Sequence, residues 1–207
     1  MTLLSKSDKV YVAGSTGMVG KSICKVLIKN GYTLENNQLL TTSRDVLDLE
    51  DSNMLNDWFK KNNPDVVVCA AGKVGGILAN KEKPVDFLLN NLKIQTNLIE
   101  TSWKFGVKRF LFLGSSCIYP KLSKQPIKEK YLLENSLETT NVWYALAKIS
   151  GLKLCEAYRD QHNFDAISLM PTNLYGPNDN YKKNESHVFA SLIRKFYEAK
   201  INNDKTV

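Results

Sequence analysis

Two segments about thirty residues apart carry groups that could move a proton to a carbonyl oxygen. Tyr144 and Lys148 stand four positions apart, which places both side chains on one face of a helix. A neighbouring ammonium favours the phenolate, so we expect Lys148 to lower the pKa of Tyr144 from its ordinary value of about 10. Ser115, at the end of a predicted strand, could share this proton and hold a substrate oxygen. Such a group could protonate a carbonyl oxygen while a hydride reaches its carbon.

A glycine-rich segment lies upstream, between a predicted strand at Lys9–Ala13 and a helical pattern over Gly17–Asn30. Glycines let the backbone approach a pyrophosphate, and a helix N-terminus offers it unpaired N–H groups. The segment therefore predicts a dinucleotide site, although a glycine-rich turn without a ligand would have the same local pattern. Its residues are Gly14, Ser15, Thr16, Gly17, Met18, Val19 and Gly20.

The end of the second predicted strand, Gln38–Thr42, favours a phosphorylated cofactor. An NAD enzyme would place an acid there for the ribose 2′-hydroxyl. In this chain the strand end continues as Thr41-Thr42-Ser43-Arg44, and the first acid after it is Asp45. Arg44 could pair with a 2′-phosphate, so we expect NADPH/NADP+. Arg44 could instead pair with a surface carboxylate.

Three stretches, 71–77, 114–120 and 171–177, resemble the extended short-chain dehydrogenase/reductases and, within them, the GDP-L-fucose synthase family. The resemblance runs from Lys9 to about Ala199. It implies NADPH-dependent 3,5-epimerisation and 4-reduction of a GDP-sugar, GDP-4-dehydro-6-deoxy-D-mannose. The widely spaced cysteines separately indicate a reducing cytoplasm. Some members carry an arginine in the glycine loop where this chain has Thr16.

The resemblance also implies roles for individual residues. Cys117 would be the base and His187 the acid that invert C3 and C5, while Ser115 and Tyr144 hold the C4 oxygen. Lys148 would bind the nicotinamide ribose. The substrate would contact Lys195. Further cofactor contacts would come from Leu113, Gly114, Ser115, Ser116, Tyr144, Lys148, Pro171, Thr172, Asn173, Leu174 and His187.

Composition fits one α/β domain. The 207 residues are 43% hydrophobic and 24% charged, as in ordinary globular proteins. We attribute most of the net charge of +7 to surface lysines, because no arginine-rich or aromatic-interleaved stripe suggests nucleic acid. We expect no membrane segment. Four scattered cysteines and two histidines predict no metal site.

Alternating strand and helix patterns predict a Rossmann-like doubly wound parallel sheet of about six strands, with helices on both faces. One of these strands is a short one at Val46–Leu49. We expect residues 1–207 to form an NADP-binding Rossmann domain in which 172–207 begin the substrate-binding lobe. Since that lobe is mostly missing, the chain is expected to be a fragment. The helices predicted at Pro84–Phe105 and Thr139–Gln161 would form a homodimer.

Three alternative functions remain open. A 4,6-dehydratase would carry carboxylates just after the serine, where this chain has Ser116 and Cys117. A 4-epimerase would not need Cys117 and His187 as an acid/base pair. A truncated NADP-binding module would bind cofactor without turnover.

Overall fold

The computed structural model describes residues 4–183 and 185–207. The described part contains a five-stranded sheet in the order β2-β1-β3-β4-β5, and every neighbouring pair is parallel. The strands are β1 (Val10–Ala13), β2 (Leu39–Thr41), β3 (Val66–Cys69), β4 (Arg109–Leu113) and β5 (Ala166–Leu169). The order reverses between β1 and β3, where open α/β sheets form a crevice at their carboxyl edge.

Six α-helices occur in the described residues. They are α1 (Met18–Lys29), α2 (Ser52–Asn62), α3 (Ile77–Glu82), α4 (Asn91–Lys104), α5 (Val142–His162) and α6 (Val188–Asn202). A π-helical turn, Asp86–Asn90, leads directly into α4. The single long helix expected over Pro84–Phe105 is therefore divided into segments of different winding. No described helix has the length and apolar character needed to cross a membrane.

Alternate strand residues face opposite sides of the sheet, and each side has a hydrophobic core. On one side, buried residues of β1, β3 and β4 pack against apolar side chains of α2, α4 and α5. On the other side, Val10, Val12 and Val68 pack against Ile23 and Leu27 of α1. The prediction of a parallel α/β fold with helices on both faces is confirmed.

The predicted strand at Val46–Leu49 is wrong. The N–H groups of Val46 and Leu47 both donate to the Ser43 carbonyl, at 3.2 and 3.0 Å, so they close a turn. Leu47 is nevertheless buried, with 2% of its surface exposed. The apolar pattern reflects packing of Leu47 and the partly buried Leu49 against the core and not sheet pairing.

Close packing between α4, α5 and β4 positions the segment that carries Tyr144 and Lys148. A Cβ atom at Gly151 of α5 would lie 2.5 Å from Phe112 of β4 and 2.7 Å from Gln95 of α4. The buried Gln95 amide donates to the Ala147 carbonyl at 2.5 Å. The absence of a side chain at Gly151 therefore lets α5 approach the sheet next to the end of β4.

Candidate active site

Two adjoining cavities of about 420 and 390 Å³ open at the carboxyl edge of the sheet. They share Gly17, Val74 and the segment 70–72, which lie between them. The first cavity extends over the end of β2, and we call it the β2 cavity. The second extends over the ends of β4 and β5, and we call it the β4 cavity.

The glycine loop joins β1 to α1 as the sequence predicted. Gly14 has a φ of 83°, and a Cβ atom there would lie 2.7 Å from the backbone of Ala71. A Cβ atom at Gly20 would overlap the Gly14 carbonyl oxygen. Only glycine satisfies both positions without a backbone shift. Gly17 precedes α1 and provides no side-chain cap, so the loop presents backbone N–H groups at the helix N-terminus.

The other loop residues divide into lining and packing positions. Thr16 faces the β2 cavity, whereas Met18 and Val19 face the β4 cavity. Ser15 is buried and donates its hydroxyl to the Thr42 carbonyl at 3.1 Å. Ser15 therefore ties the glycine loop to the end of β2.

The end of β4 turns sharply at Ser115. The Ser115 hydroxyl oxygen accepts the Cys117 backbone N–H at 3.5 Å and the Cys117 thiol at 3.2 Å. Burial raises the pKa of the Cys117 thiol, while the Ser115 hydrogen bond and the Lys148 charge act in the opposite direction. Cys117 is thus a thiol in contact with the hydroxyl that borders the β4 cavity.

Lys148 is 5% exposed, and its Nζ donates to the Leu113 carbonyl at 2.8 Å. Nζ also lies 4.8 Å from the Phe112 ring centroid and 5.8 Å from that of Tyr144. Burial lowers the pKa of Lys148, and the nearby Cys69 and Cys117 oppose this shift.

Tyr144 differs from the expectation. Burial and the charge of Cys117 raise its pKa, and a hydrogen bond with Ser115 only partly opposes them. The prediction that Lys148 lowers the pKa of Tyr144 is wrong, because the ammonium is held by the Leu113 carbonyl and desolvation dominates. Tyr144 is therefore a protonated phenol at neutral pH.

The segment after β5 also lines the β4 cavity, through Pro171–Leu174 and His187. His187 is exposed and immediately precedes α6. Two contacts hold this region. The Gly76 N–H donates to the Glu185 carbonyl at 3.1 Å, and the Tyr175 and Phe189 rings pack with centroids 4.4 Å apart.

The structure brings most of the predicted residues together, but not all of them. Leu113, Gly114, Ser115, Tyr144 and Lys148 line the β4 cavity. Five predicted residues are outside the described lining of both cavities: Ser15, Gly20, Ser116, Cys117 and Lys195. The Ser116 N–H donates to the Pro171 carbonyl at 3.3 Å, Cys117 lies behind Ser115, and Lys195 is exposed on α6.

Arg44 lines the β2 cavity and already has an anionic partner. Its Nη2 lies 2.9 Å from Glu50 Oε1, with the Arg44 side chain 72% exposed and that of Glu50 17% exposed. The alternative in which Arg44 pairs with a carboxylate is therefore the arrangement in the structure.

Sequence reasoning missed Asn91, which is 2% exposed at the start of α4. Its Oδ1 accepts the Lys73 N–H at 2.9 Å, and its Nδ2 donates to the carbonyls of Lys73 and Phe87 at 3.0 and 2.7 Å. A Cβ atom at Gly72 would lie 2.9 Å from Asn91 Oδ1. Asn91 therefore clamps the segment that separates the two cavities. The sequence pattern that could have identified Asn91 is its spacing from Gln95 and Leu98, which places all three on one face of the helix.

No group of three or more His, Cys, Asp or Glu side chains that could hold a metal ion occurs within residues 4–183 and 185–207. The charged and polar groups at the sheet edge instead surround an elongated space with a glycine cradle near its middle. Such a space suits a dinucleotide, whose pyrophosphate needs close backbone approach.

The fold and the site together define a Rossmann-type α/β domain with a serine, a tyrosine and a lysine at the carboxyl edge of its sheet. The family model described as the NAD dependent epimerase/dehydratase family matches residues 10–207. The chain belongs to this family.

Individual relatives are more specific. The chain is 52% identical over 206 residues to GDP-L-fucose synthase 1 of Arabidopsis thaliana, covering 100% of this chain and 62% of that protein. It is 48% identical over 196 residues to the GDP-L-fucose synthase of Escherichia coli, covering 95% and 60%. The chain thus spans between 60% and 62% of the length of these two relatives. A GDP-L-fucose synthetase from Naegleria fowleri bound to NADP superposes with a TM-score of 0.86 at 30% identity, covering 99% and 66%.

Proposed function

We propose that this chain catalyses the NADPH-dependent conversion of GDP-4-dehydro-6-deoxy-D-mannose to GDP-L-fucose, by 3,5-epimerisation and 4-reduction. The observation that carries the proposal is the contact of the Cys117 thiol with Ser115, beside the protonated Tyr144. This arrangement places a potential carbon acid–base group next to the two groups that can hold a ketone oxygen. Relatives about half identical to this chain are GDP-L-fucose synthases.

The residues present fit a nicotinamide dinucleotide. Gly14, Thr16 and Gly17 would hold its pyrophosphate, Arg44 its 2′-phosphate and Lys148 its nicotinamide ribose. Pro171–Leu174 would form the wall beside the nicotinamide. When bound, the reduced cofactor would supply a hydride to C4 of the sugar.

Tyr144 and Ser115 would manage the C4 oxygen during reduction. Because burial keeps the phenol protonated, Tyr144 can donate a proton to the oxygen as negative charge develops on it. Ser115 would donate a second hydrogen bond to the same oxygen. Lys148, whose Nζ donates to the Leu113 carbonyl, would position the nicotinamide ribose beside these two groups.

Cys117 and His187 would carry out the epimerisation. The hydrogens on C3 and C5 are acidic because both carbons adjoin the C4 ketone. Cys117 would remove a proton from one face as the thiolate, which the Ser115 hydrogen bond and the Lys148 charge favour. His187, which lines the β4 cavity, would return a proton to the other face.

We also propose that Lys195 binds the nucleotide-sugar from α6, the helix that His187 immediately precedes. Residues 172–207 would then begin the substrate-binding lobe. The four cysteines at 24, 69, 117 and 155 are free thiols, which suits the reducing cytoplasm as the place of action.

The homodimer is proposed to form through α4, α5 and the turn before α4. Four large apolar side chains of this region are at least 38% exposed: Val85, Leu89, Trp143 and Leu146. Pairing with a second copy would remove them from water.

The function is tested by incubating the chain with GDP-4-dehydro-6-deoxy-D-mannose and NADPH in deuterated water. We expect the absorbance of the reduced nicotinamide to fall and GDP-L-fucose to form with deuterium at C3 and C5, as read by NMR. Cofactor binding without either change would overturn the proposal in favour of a module without turnover.

A second candidate is a C4 reductase that does not epimerise. It is favoured by the position of Cys117, which lies behind Ser115 and outside the described lining of the β4 cavity. The same experiment separates the two functions, because a reductase would consume NADPH and leave C3 and C5 free of deuterium.

A further inference from the structure

The β2 cavity contains a carboxylate that the end of β2 itself does not provide. Glu50 lies on the loop between β2 and α2 and lines this cavity together with Arg44 and Asn90. An acid at this end of a dinucleotide site is the usual acceptor for a ribose 2′-hydroxyl. Glu50 therefore brings to the cavity the group that the strand end lacks.

Two further contacts fix the position of Glu50. Its backbone N–H donates to Asp48 Oδ1 at 3.0 Å, and its Oε1 accepts Asn90 Nδ2 at 3.1 Å. The Glu50 side chain is 17% exposed, whereas that of its ion-pair partner Arg44 is 72% exposed. Glu50 is thus the anchored member of the pair and Arg44 the solvent-exposed one.

The two cofactor types make opposite demands on this pair. A 2′-phosphate needs the Arg44 guanidinium, and it would bring its own negative charge close to the Glu50 carboxylate. A 2′-hydroxyl needs an acceptor, and in the described structure both hydrogen bonds to the Glu50 carboxylate go to Oε1. The carboxylate therefore opposes one ligand and suits the other.

We propose that Glu50 is a specificity-determining residue of the cofactor site: it holds Arg44 in an ion pair that a 2′-phosphate must replace, and it accepts the 2′-hydroxyl of an unphosphorylated cofactor. This inference rests on the proposed nicotinamide cofactor. It predicts a chain that binds NADP+ with a smaller advantage over NAD+ than Arg44 alone would give.

The test is calorimetric titration of the full 207-residue chain with NADP+ and with NAD+, before and after Glu50→Gln. Glutamine keeps an oxygen that can accept the Asn90 hydrogen bond but removes the charge. We expect Glu50→Gln to bind NADP+ about two- to fivefold more tightly than the unmutated chain. This range corresponds to the free energy of an exposed ion pair that no longer competes with the 2′-phosphate for Arg44. The Glu50→Gln variant should bind NAD+ at least about threefold more weakly than the unmutated chain, because the charged acceptor for the 2′-hydroxyl is lost.

The matched control is Glu198→Gln, which removes the same charge from an Arg194–Glu198 pair of 2.8 Å on α6. It should leave the ratio of the two affinities unchanged. Thermal unfolding of each variant establishes that it is folded. An unchanged ratio in Glu50→Gln, or the same shift in Glu198→Gln, would overturn the role of Glu50.

A double-mutant cycle with Arg44→Ala tests whether Glu50 acts through the ion pair. In the Arg44→Ala background the gain in NADP+ affinity from Glu50→Gln should shrink to less than about half its value in the unmutated chain. A gain of undiminished size would overturn the proposal. If the unmutated chain binds neither cofactor, the proposed function fails as well, whereas binding with an unshifted ratio overturns only the assignment of Glu50.

Discussion

Burial sets the protonation states of the three groups closest to the end of β4. It raises the pKa values of Tyr144 and Cys117 and lowers that of Lys148. Tyr144 is consequently ready to donate a proton, while Cys117 must first lose one before it can act as a base. The two proposed halves of the reaction therefore depend on different side chains.

Replacing each side chain should separate these halves. In Cys117→Ser the thiolate is lost, so deuterium uptake at C3 and C5 should slow by about 10²–10⁴, the usual range for general acid–base catalysis. Reduction at C4 should persist and give an unepimerised 6-deoxy sugar. Tyr144→Phe should stop NADPH oxidation and leave some exchange. Deuterium incorporation is followed by NMR and NADPH oxidation by absorbance.

Cys24→Ser is the control for these two substitutions, because Cys24 is a half-buried cysteine of α1 outside the described lining of both cavities. It should leave both rates unchanged. Exchange at the unmutated rate in Cys117→Ser would mean that the cysteine only packs against Ser115.

Local spacing was sufficient to predict the glycine loop and the Tyr144–Lys148 pair but not the environments of these residues. The glycine loop and the Tyr144–Lys148 pair depend on contacts within a few residues, so the sequence displays them directly. The Lys148–Leu113 hydrogen bond joins residues 35 positions apart, and the Arg44–Glu50 pair depends on how a loop folds back. The direction predicted for the pKa of Tyr144 was wrong, because its burial arises from tertiary packing that the spacing does not show.

At the scale of elements, α4 contributes to the site through its first residue. The side chain of Asn91 satisfies the Lys73 N–H and carbonyl groups and the Phe87 carbonyl. The adjoining Gly72 lines both cavities. A helix terminus thereby fixes the loop that lies between the β2 cavity and the β4 cavity.

Asn91→Ala should both destabilise the fold and weaken cofactor binding. Each buried polar group left without a partner costs about 1–3 kcal/mol, so we expect a loss of about 2–4 kcal/mol in the free energy of unfolding. NADP+ affinity should fall as well, because the segment at Gly72 is no longer held. Urea unfolding and calorimetric titration measure the two effects.

Thr96→Ala on the same helix is the matched control. Thr96 is exposed and bonds only to the Leu92 and Lys93 carbonyls of its own helix. Its replacement should change neither the free energy of unfolding nor the NADP+ affinity by much. Equal effects of the two substitutions would contradict the clamp.

Element boundaries explain the errors of the sequence prediction. Leu47 and Leu49 made Val46–Leu49 appear to be a strand, although both side chains reach the core from a turn. The π-helical turn at Asp86–Asn90 has no distinct hydrophobic period, so it was predicted as ordinary helix. In both places the local apolar pattern alone did not distinguish the observed backbone from the predicted one.

At the scale of the molecule, the proposed dimer makes a direct prediction. Light scattering should give the mass of two chains at micromolar concentration. Leu146→Glu, which places a charge on the exposed face of α5, should shift this mass to that of one chain. Leu122→Glu, on a loop residue that is 88% exposed, should have no effect. A monomer mass for the unmutated chain would count against the dimer.

Stability should fall in alkaline solution. Burial raises the pKa of Cys155 to about 12 and also raises the pKa values of Cys69 and Tyr11. As pH rises past the ordinary thiol value of 9.0, the unfolded chain loses protons that the folded chain keeps, so the free energy of unfolding decreases. The lowered pKa of Lys148 acts in the opposite direction, below its ordinary 10.5.

Urea unfolding with a thiol reductant, from about pH 8 to about pH 10.5, measures this decline. Cys155→Ala should show a shallower slope, because one of the raised thiols is gone. A free energy of unfolding that stays constant across this range would show that the buried thiols and phenols ionise equally in both states.

The position of β1 inside the sheet also bears on how the chain folds during its synthesis. β1 pairs with β3 in a register that joins Val10 to Val66, and β4 must then add to the far side of β3. Such distant pairings require long loops to close first, which slows folding. On the ribosome, the glycine loop is therefore made early but cannot take its final shape until β3 and the Ala71 backbone beyond it have emerged.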